Sequence, residues 1–417
     1  MSSPSTLRQD NGLAQLSSIL GPQYLHQEGD ILVAIPGDNQ QIAEVLHFAV
    51  ARNLVVMPMG GGTKQGWGNR VKANIHLNLT RLNAIREHAW QDMTCTVQAG
   101  ATWANLQAAL KKHNQMVALD PLWPDRATVG GIIASNDSGA MRLKFGGLRD
   151  LIIGMTVVLA DGTIAKSGGK VVKNVAGYDL HKLMTGSFGT LAVLTEVNFR
   201  LHPVEQHALT WSIIAHDAKH SGGAAFAGEL RSILDSPITP TSIQLRCRRD
   251  ECILDLRVAS MPECLDEYAL RVKRLFGEQR VIGSPDTVWQ ARERLFDRQE
   301  SVVLKVSVPQ SEICSLSSEL QKASNRDLEV SSVAQANGLL TVELGGDTRI
   351  ATEMIQQLRE RVLPFGGSVV VQQLPEGLRD RIEIWGPTSN PLSLMREIKQ
   401  HFDPGRTLNP GRFVGNI

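Results

Sequence analysis

Apolar and polar positions in the first half of the chain follow the pattern of short strands alternating with amphipathic helices. Ile31 to Ile35 is a short apolar run closed by Pro36-Gly37-Asp38. In the helix that Asp38 caps, Ile42, Val45, Leu46 and Ala49 recur at i, i+3, i+4 and i+7, one face of a 3.6-residue period. Leu54 to Met59 returns as a strand and runs straight into Gly60-Gly61-Gly62-Thr63. Thr94 to Gln98 is strand-like, and Thr102 caps a helix running to about His113. Asp150 to Ala160 and Leu191 to Arg200 are β-branched and aliphatic, and Asp161-Gly162 ahead of Thr163-Ile164-Ala165 predicts a hairpin.

Past His202-Pro203 glycine thins out and two similar blocks follow. The first predicts a helix around Ala224–Leu234, strands Ser242–Cys247 and Ile253–Val258, and a helix Leu265–Phe276. The second predicts a helix around Ser311–Ala323, strands Leu328–Val333 and Leu339–Leu344, and a helix Ile350–Val362. A duplicated helix–hairpin–helix implies one sheet covered by helices on a face, an α+β domain. From His401 to Ile417 the chain is again rich in Gly, Pro and Asn, without periodicity.

At 417 residues the chain is too long for one ordinary core, so two or three domains are expected. Its 43 Lys+Arg against 42 Asp+Glu lack the basic excess of a nucleic-acid binder, and 5% aromatic residues argue against a base-stacking platform. The odd count of five cysteines predicts reduced thiols in the cytosol rather than a disulfide framework. Cys247, Cys252 and Cys264 match no CxxC spacing, so no zinc or iron–sulfur site is expected there. Met1 to Leu20 has neither the basic head nor the apolar stretch of a secretory signal. The longest apolar run, Leu151 to Ala160, is too short to span a bilayer. These features predict a soluble intracellular protein.

Three glycine-rich segments carry the candidate chemistry. The first is Met57-Pro58-Met59-Gly60-Gly61-Gly62-Thr63-Lys64, directly after a strand. Consecutive glycines let successive N–H groups curl into an anion-binding nest, and the threonine hydroxyl adds a donor, so a diphosphate suits the loop. A tight strand-to-loop turn would use the same residues. The second runs from Asp120-Pro121 through Thr128-Val129-Gly130-Gly131 to Ser135-Asn136-Asp137-Ser138-Gly139. A helix start at Gly130-Gly131 there would favour a phosphate; a buried loop satisfying its own backbone is the alternative. The third is Gly177-Tyr178-Asp179-Leu180 followed by Gly186-Ser187-Phe188-Gly189-Thr190 and an apolar strand, where a planar ring could approach the backbone closely. No GxGxxG and no GxxxxGK[ST] occurs, which disfavours a Rossmann site and removes the P-loop NTPases.

Taken in order, PMGGGTK, DPLWPDRATVGGIIASNDSG, FGGLRDLIIGMTVVLADG, GYDLHKLMTGSFGTLAVLTE and the terminal FDPGRTLNPGRF resemble the FAD-linked oxidases of the vanillyl-alcohol oxidase type. Within that superfamily the chain most resembles the FAD-binding E subunits of bacterial glycolate oxidase complexes. The resemblance implies an α+β fold: a two-subdomain FAD-binding domain at 28–203 after an N-terminal segment 1–27, and an α+β cap domain at 204–400. Residues 401–417 would return to the FAD domain. By motif, Gly60, Gly61, Gly62 and Thr63 would hold the diphosphate, flanked by Pro58 and Lys64. Thr128, Gly130, Gly131, Asn136 and Ser138, bounded by Asp120 and Gly139, would line its other side and the ribityl chain. Gly189 and Val193 would sit at the adenosine end.

The same resemblance implies oxidation of glycolate or D-lactate, alongside a catalytic FAD-containing homologue and an iron–sulfur subunit. The complex would be cytoplasmic or held peripherally on the inner face of the cytoplasmic membrane. Met57 to Arg70 contains neither His nor Cys, so non-covalent FAD is expected. Strings resembling GDGNLH and SEHG, which carry a metal site in related 2-hydroxy-acid dehydrogenases, do not occur. His216 and His220 read as loop histidines rather than ligands. Trp289-Gln290-Ala291-Arg292-Glu293 is similar to a WxxRE stretch whose arginine binds substrate carboxylate in relatives. That makes Arg292 the catalytic candidate, against the alternative of a surface arginine paired with a glutamate. No general base is assignable. An autonomous flavin dehydrogenase and an FAD-carrying partner subunit therefore both stand as readings.

Overall fold

The computed structural model describes residues 11–170, 179–215, 222–379, 381–388 and 391–417, which divide into two compact units. The first unit takes Met1–Asp137, Gly147–Val204 and Pro387–Ile417; the second takes Ser138–Gly146 and Glu205–Gly386. The second division thus falls at Pro387, where the sequence pattern placed it at His401.

In the first unit, β1 (Leu25–Glu28), β2 (Ile31–Ala34), β3 (Val56–Met59) and β4 (Ile75–Asn78) form a sheet in the order β1-β2-β4-β3. β2 and β3 both pair with β4 in parallel, which requires a crossover, supplied by the helix Asn39–Val50. That helix starts where the Asp38 carboxylate accepts from the Gln41 N–H at 2.8 Å. It buries Ile42, Val45, Leu46 and Ala49, the face foreseen from their spacing, against Val56, Ile75 and Leu77.

The chain continues through β5 (Ile85–Ala89), β6 (Thr94–Gln98), β7 (Gln115–Met116), β8 (Ile152–Val158), β9 (Ile164–Gly168), β10 (Val193–Arg200) and β11 (His202–Pro203). Five of them make a second, antiparallel sheet in the order β5-β6-β10-β8-β9, while β7 and β11 pair with each other. The predicted hairpin is present, with Gly162 at φ +82°. Thr102 caps the helix Trp103–Lys111 through its hydroxyl, and Trp103, Leu106 and Leu110 enter the core beneath this sheet.

The C-terminal segment lies along the free edge of β3. The Val56 N–H donates to the Thr407 carbonyl at 2.8 Å, and the Asn409 N–H donates to the Val56 carbonyl at 3.0 Å. Val56 and Leu408 are thereby bridged in parallel, and β3 is no longer an open edge.

The second unit is one eight-stranded sheet. Its strands are β12 (Ala208–Ile214), β13 (Pro240–Arg248), β14 (Glu251–Ala259), β15 (Val281–Gly283), β16 (Val302–Ser307), β17 (Leu328–Gln335), β18 (Leu339–Gly346) and β19 (Ser368–Gln373). The order β15-β12-β14-β13-β17-β18-β16-β19 reads the same from both ends once β12 to β15 are exchanged with β16 to β19. Each half is a β-α-β-β-α-β unit, and the halves join by antiparallel pairing of β13 with β17. The duplicated helices and hairpins are those the sequence predicts; the first and last strand of each half were not foreseen.

The expectation of five reduced thiols is corrected here. Cys247 and Cys252 face each other across the β13–β14 hairpin, Cα atoms 4.2 Å apart, and are disulfide-bonded. Five residues of separation spanning a tight hairpin turn bring two cysteines into register, which a count of cysteines cannot reveal. Cys95, Cys264 and Cys314 are free thiols; burial pushes Cys95 up to about 12 and Cys314 up to about 11. Among the described residues no helix is long and apolar enough to cross a membrane.

Candidate functional site

The glycine loop leaves the carboxyl end of β3, where parallel strands of an open sheet commonly present ligands. Among the described residues, the amides of Gly61, Gly62 and Thr63 enter no backbone–backbone hydrogen bond; the loop's internal bonds begin later, with Gln65 N–H to Gly62 and Trp67 N–H to Lys64. Two glycines are dictated by geometry. A Cβ on Gly61 would stand 1.8 Å from the Arg126 carbonyl oxygen, so the loop packs on backbone at that point. Gly62 has φ +70° and nothing within 4 Å of a Cβ, so its constraint is conformational.

The loop walls a cleft that is partly open to solvent. Pro58, Gly60, Gly61, Gly62, Thr63 and Lys64 line it on one side. Thr128, Gly130, Gly131 and Gly189 come to it from two other segments. Ten residues singled out from sequence thus surround one space, although they span more than a hundred positions.

Other expected residues lie elsewhere. Asp120 and Asn136 are not among the lining residues; Asn136 ends the helix Val129–Ser135 at φ +48°. Val193 is fully buried in β10, whereas its neighbours Ala192 and Leu194 reach the cleft. Ser138 and Gly139 belong to the second unit, where their carbonyls accept from Arg292 and Asn337. At the second glycine pair, two amides are already used: Val129 N–H donates to Ala101 and Gly130 N–H to Ala99. Of the first three helical positions, Gly131 alone retains an N–H outside the backbone network of the described residues. The segment 171–178, which includes Gly177 and Tyr178, and His216 and His220 lie outside the described residues.

Two cationic side chains line the cleft. Lys64, almost fully buried, pairs with the Asp137 carboxylate at 3.3 Å and lies over the rings of Trp67 and Trp123. Asp137 also accepts from the Leu122 N–H at 2.8 Å. The second is Arg412, which the sequence pattern did not single out. Its guanidinium donates to Gln65 Oε1 at 2.7 Å and to the carbonyls of Lys64, Gln65 and Trp67 at 3.2, 3.4 and 3.4 Å. Burial lowers Arg412 to about 10, a value at which it is still charged at neutral pH.

In the second unit, Asp255 is fully buried on the sheet. It accepts from Arg246 Nε and Nη2 at 2.6 and 2.9 Å, from Gln244 at 2.8 Å and from Ser212 at 2.6 Å. The hydrogen bond to Asp255 raises Arg246 above its ordinary value despite burial. Gln244 also donates to the Val288 carbonyl, and Trp289 Nε1 donates to Thr210. These bonds fix the turn leading to half-buried Arg292, whose guanidinium donates to the Ser138 carbonyl. Among the described residues no group of three or more His, Cys, Asp or Glu is placed to hold a metal ion.

Comparison with known proteins bears on this site. A family described as "FAD binding domain" matches residues 31–168, and "FAD linked oxidases, C-terminal domain" matches residues 385–413. Glycolate oxidase subunit GlcD of Bacillus subtilis is 25% identical over 94% of this chain and 90% of that protein. D-lactate dehydrogenase of Archaeoglobus fulgidus is 26% identical over 93% and 92%. Glycolate oxidase subunit GlcE of Escherichia coli is 30% identical, over 41% of this chain and 49% of that protein. Among solved structures, p-cresol methylhydroxylase superposes over 96% of both chains with a TM-score of 0.74 at 16% identity. The fold is therefore the α+β arrangement of that group of FAD-binding proteins, as the motifs implied.

Proposed function

We propose that this FAD-linked oxidoreductase carries FAD non-covalently as a subunit of a glycolate oxidase-type complex oxidising glycolate or D-lactate. The observation that carries the reading is the cleft itself. Among the described residues, three adjacent loop amides are uncommitted to backbone bonds, and their residues line one cleft together with Thr128, Gly131 and Gly189. The fit extends to the packing: the Gly61 contact with Arg126 leaves no room for a side chain, so the loop backbone rather than a side chain forms that wall.

Gly61, Gly62 and Thr63 would donate to the diphosphate, and Thr128 and Gly131 would meet it from the facing segment. Met59, Leu79 and Leu194 exclude water from the apolar part. Bound FAD supplies the two-electron acceptor for the alcohol carbon. Arg292 is the proposed carboxylate binder, held by the Gln244–Asp255 network and by Ser138. In the complex, a catalytic flavin homologue and an iron–sulfur subunit would take part in substrate oxidation and electron transfer.

A second reading, a dehydrogenase that works alone, is favoured by the full-length likeness to the D subunit and to the archaeal D-lactate dehydrogenase. Anaerobic addition of glycolate or D-lactate to the purified chain separates the two. The subunit reading expects slow or no flavin bleaching alone and dye-linked oxidation after co-expression with the two partners. Fast bleaching by the isolated chain overturns it.

A further inference from the structure

We propose that Arg412 is the positioning residue of the cofactor loop, a clamp from the C-terminal segment that fits the loop to a diphosphate. Three peptide carbonyls, those of Lys64, Gln65 and Trp67, converge on its guanidinium, and the Gln65 side-chain oxygen is a fourth acceptor. A carbonyl oxygen turned into the cleft would repel an anion. Gathered around Arg412, these oxygens have their partial negative charge offset by a full positive one, and the preceding N–H groups of Gly61 to Thr63 are left to the ligand. Nη1 takes the Gln65 side chain and Nη2 faces the three carbonyls, so the two donor nitrogens of the planar fork serve both groups where an ammonium presents a single point. Arg412 is itself a lining residue of the cleft, so its charge also acts on whatever anion binds there.

The clamp is held from its own side. Asn69 N–H donates to the Arg412 carbonyl at 3.0 Å, and Asn69 Nδ2 donates to the Gly411 carbonyl at 3.0 Å. Loop and tail therefore bind each other in both directions, and the guanidinium is anchored on the bridged segment beside β3.

The proposal rests on the cofactor and not on the substrate, so its test uses no turnover. Apo-protein is titrated with FAD, ADP, adenosine and riboflavin by calorimetry or Trp fluorescence, for wild type, Arg412→Gln and Arg412→Lys. Wild type should prefer ADP to adenosine by at least tenfold. Arg412→Gln should lose most of that preference and bind FAD 10- to 100-fold more weakly, with riboflavin changed less than threefold. Arg412→Lys should retain the salt dependence of FAD binding yet recover only part of the affinity, and it stands in should the glutamine variant fail to fold. A merely structural role would weaken all four ligands alike or lower the apo melting temperature without altering the ADP-to-adenosine ratio. Either result overturns the proposal, as does a wild-type protein indifferent to the diphosphate.

Discussion

The ammonium of Lys399 and the carboxylate of Asp403 form an ion pair at 2.5 Å with side chains only 5% and 0% exposed. Lys399 also donates to the carbonyls of Thr190 and Leu408, and Asp403 accepts from the amides of Thr407 and Leu408. The pair therefore ties the helix Leu392–Phe402 to the tail beside β3 and to the turn carrying Gly189. Burial lowers Lys399 from its ordinary value, with Asp403 opposing that shift. Lys399→Met would leave Asp403 buried without its counter-ion, at a cost of about 3–5 kcal/mol. Denaturant titration of the two proteins measures it, and a loss under 1 kcal/mol would refute the hub.

Gly61 and Gly62 should respond differently to alanine. At Gly61 the new methyl meets a backbone oxygen, so the loop must move and FAD affinity should fall at least tenfold. At Gly62 the space is open and the cost is a left-handed backbone, about 1 kcal/mol. Flavin titration of both variants checks the order; equal effects would contradict it.

Acid should loosen the second unit through Glu329. Hydrogen bonds from Arg298 and then Arg248 hold its carboxyl at about 2, below the ordinary 4.5. A depressed pKa contributes stability that is complete above 4.5 and is lost as pH falls toward 2. Glu329→Gln should be less stable at pH 7 by about 1–2 kcal/mol, and the difference from wild type should shrink across that window. Unfolding at pH 7, 4 and 3 tests this; a gap independent of pH would count against it.

The hairpin disulfide predicts a labelling pattern. Alkylation of denatured, unreduced protein should modify three cysteines, Cys95, Cys264 and Cys314, and reduction should expose the other two. Cys247→Ser with Cys252→Ser should cost about 2 kcal/mol by loop entropy. Five labelled thiols before reduction would remove the bond.

Arg292→Ala should raise KM for a 2-hydroxy acid in the assembled enzyme by a factor equivalent to about 1.5–3 kcal/mol, the worth of a charged hydrogen bond. Steady-state kinetics decide it. A fall in kcat at constant KM would assign Arg292 a different task.

The parts of this molecule written locally were readable in the sequence. Asp38 and Thr102 cap helices because their oxygens meet amides three residues on, and the loop at Gly60 declares itself by lacking side chains. Arg412 was not readable: its partners lie about 345 residues earlier, and nothing around Asn409-Pro410-Gly411 marks a guanidinium directed at them. The strands β12, β15, β16 and β19 were missed because they reach their partners across whole helices rather than turns. Val193 is buried while Ala192 and Leu194 on either side of it line the cleft, an alternation that a motif match does not resolve.

The distance in sequence between the loop and its clamp also sets a clock. During synthesis the glycine loop leaves the ribosome 347 residues ahead of Arg412, about 20–70 s earlier at ordinary elongation rates. Through that interval β3 has no neighbour on its outer edge and the loop carbonyls have no guanidinium to gather them. Cofactor capture is then an event of late assembly, and flavin supplied to a nascent chain lacking residues 407–412 would find a half-built cradle.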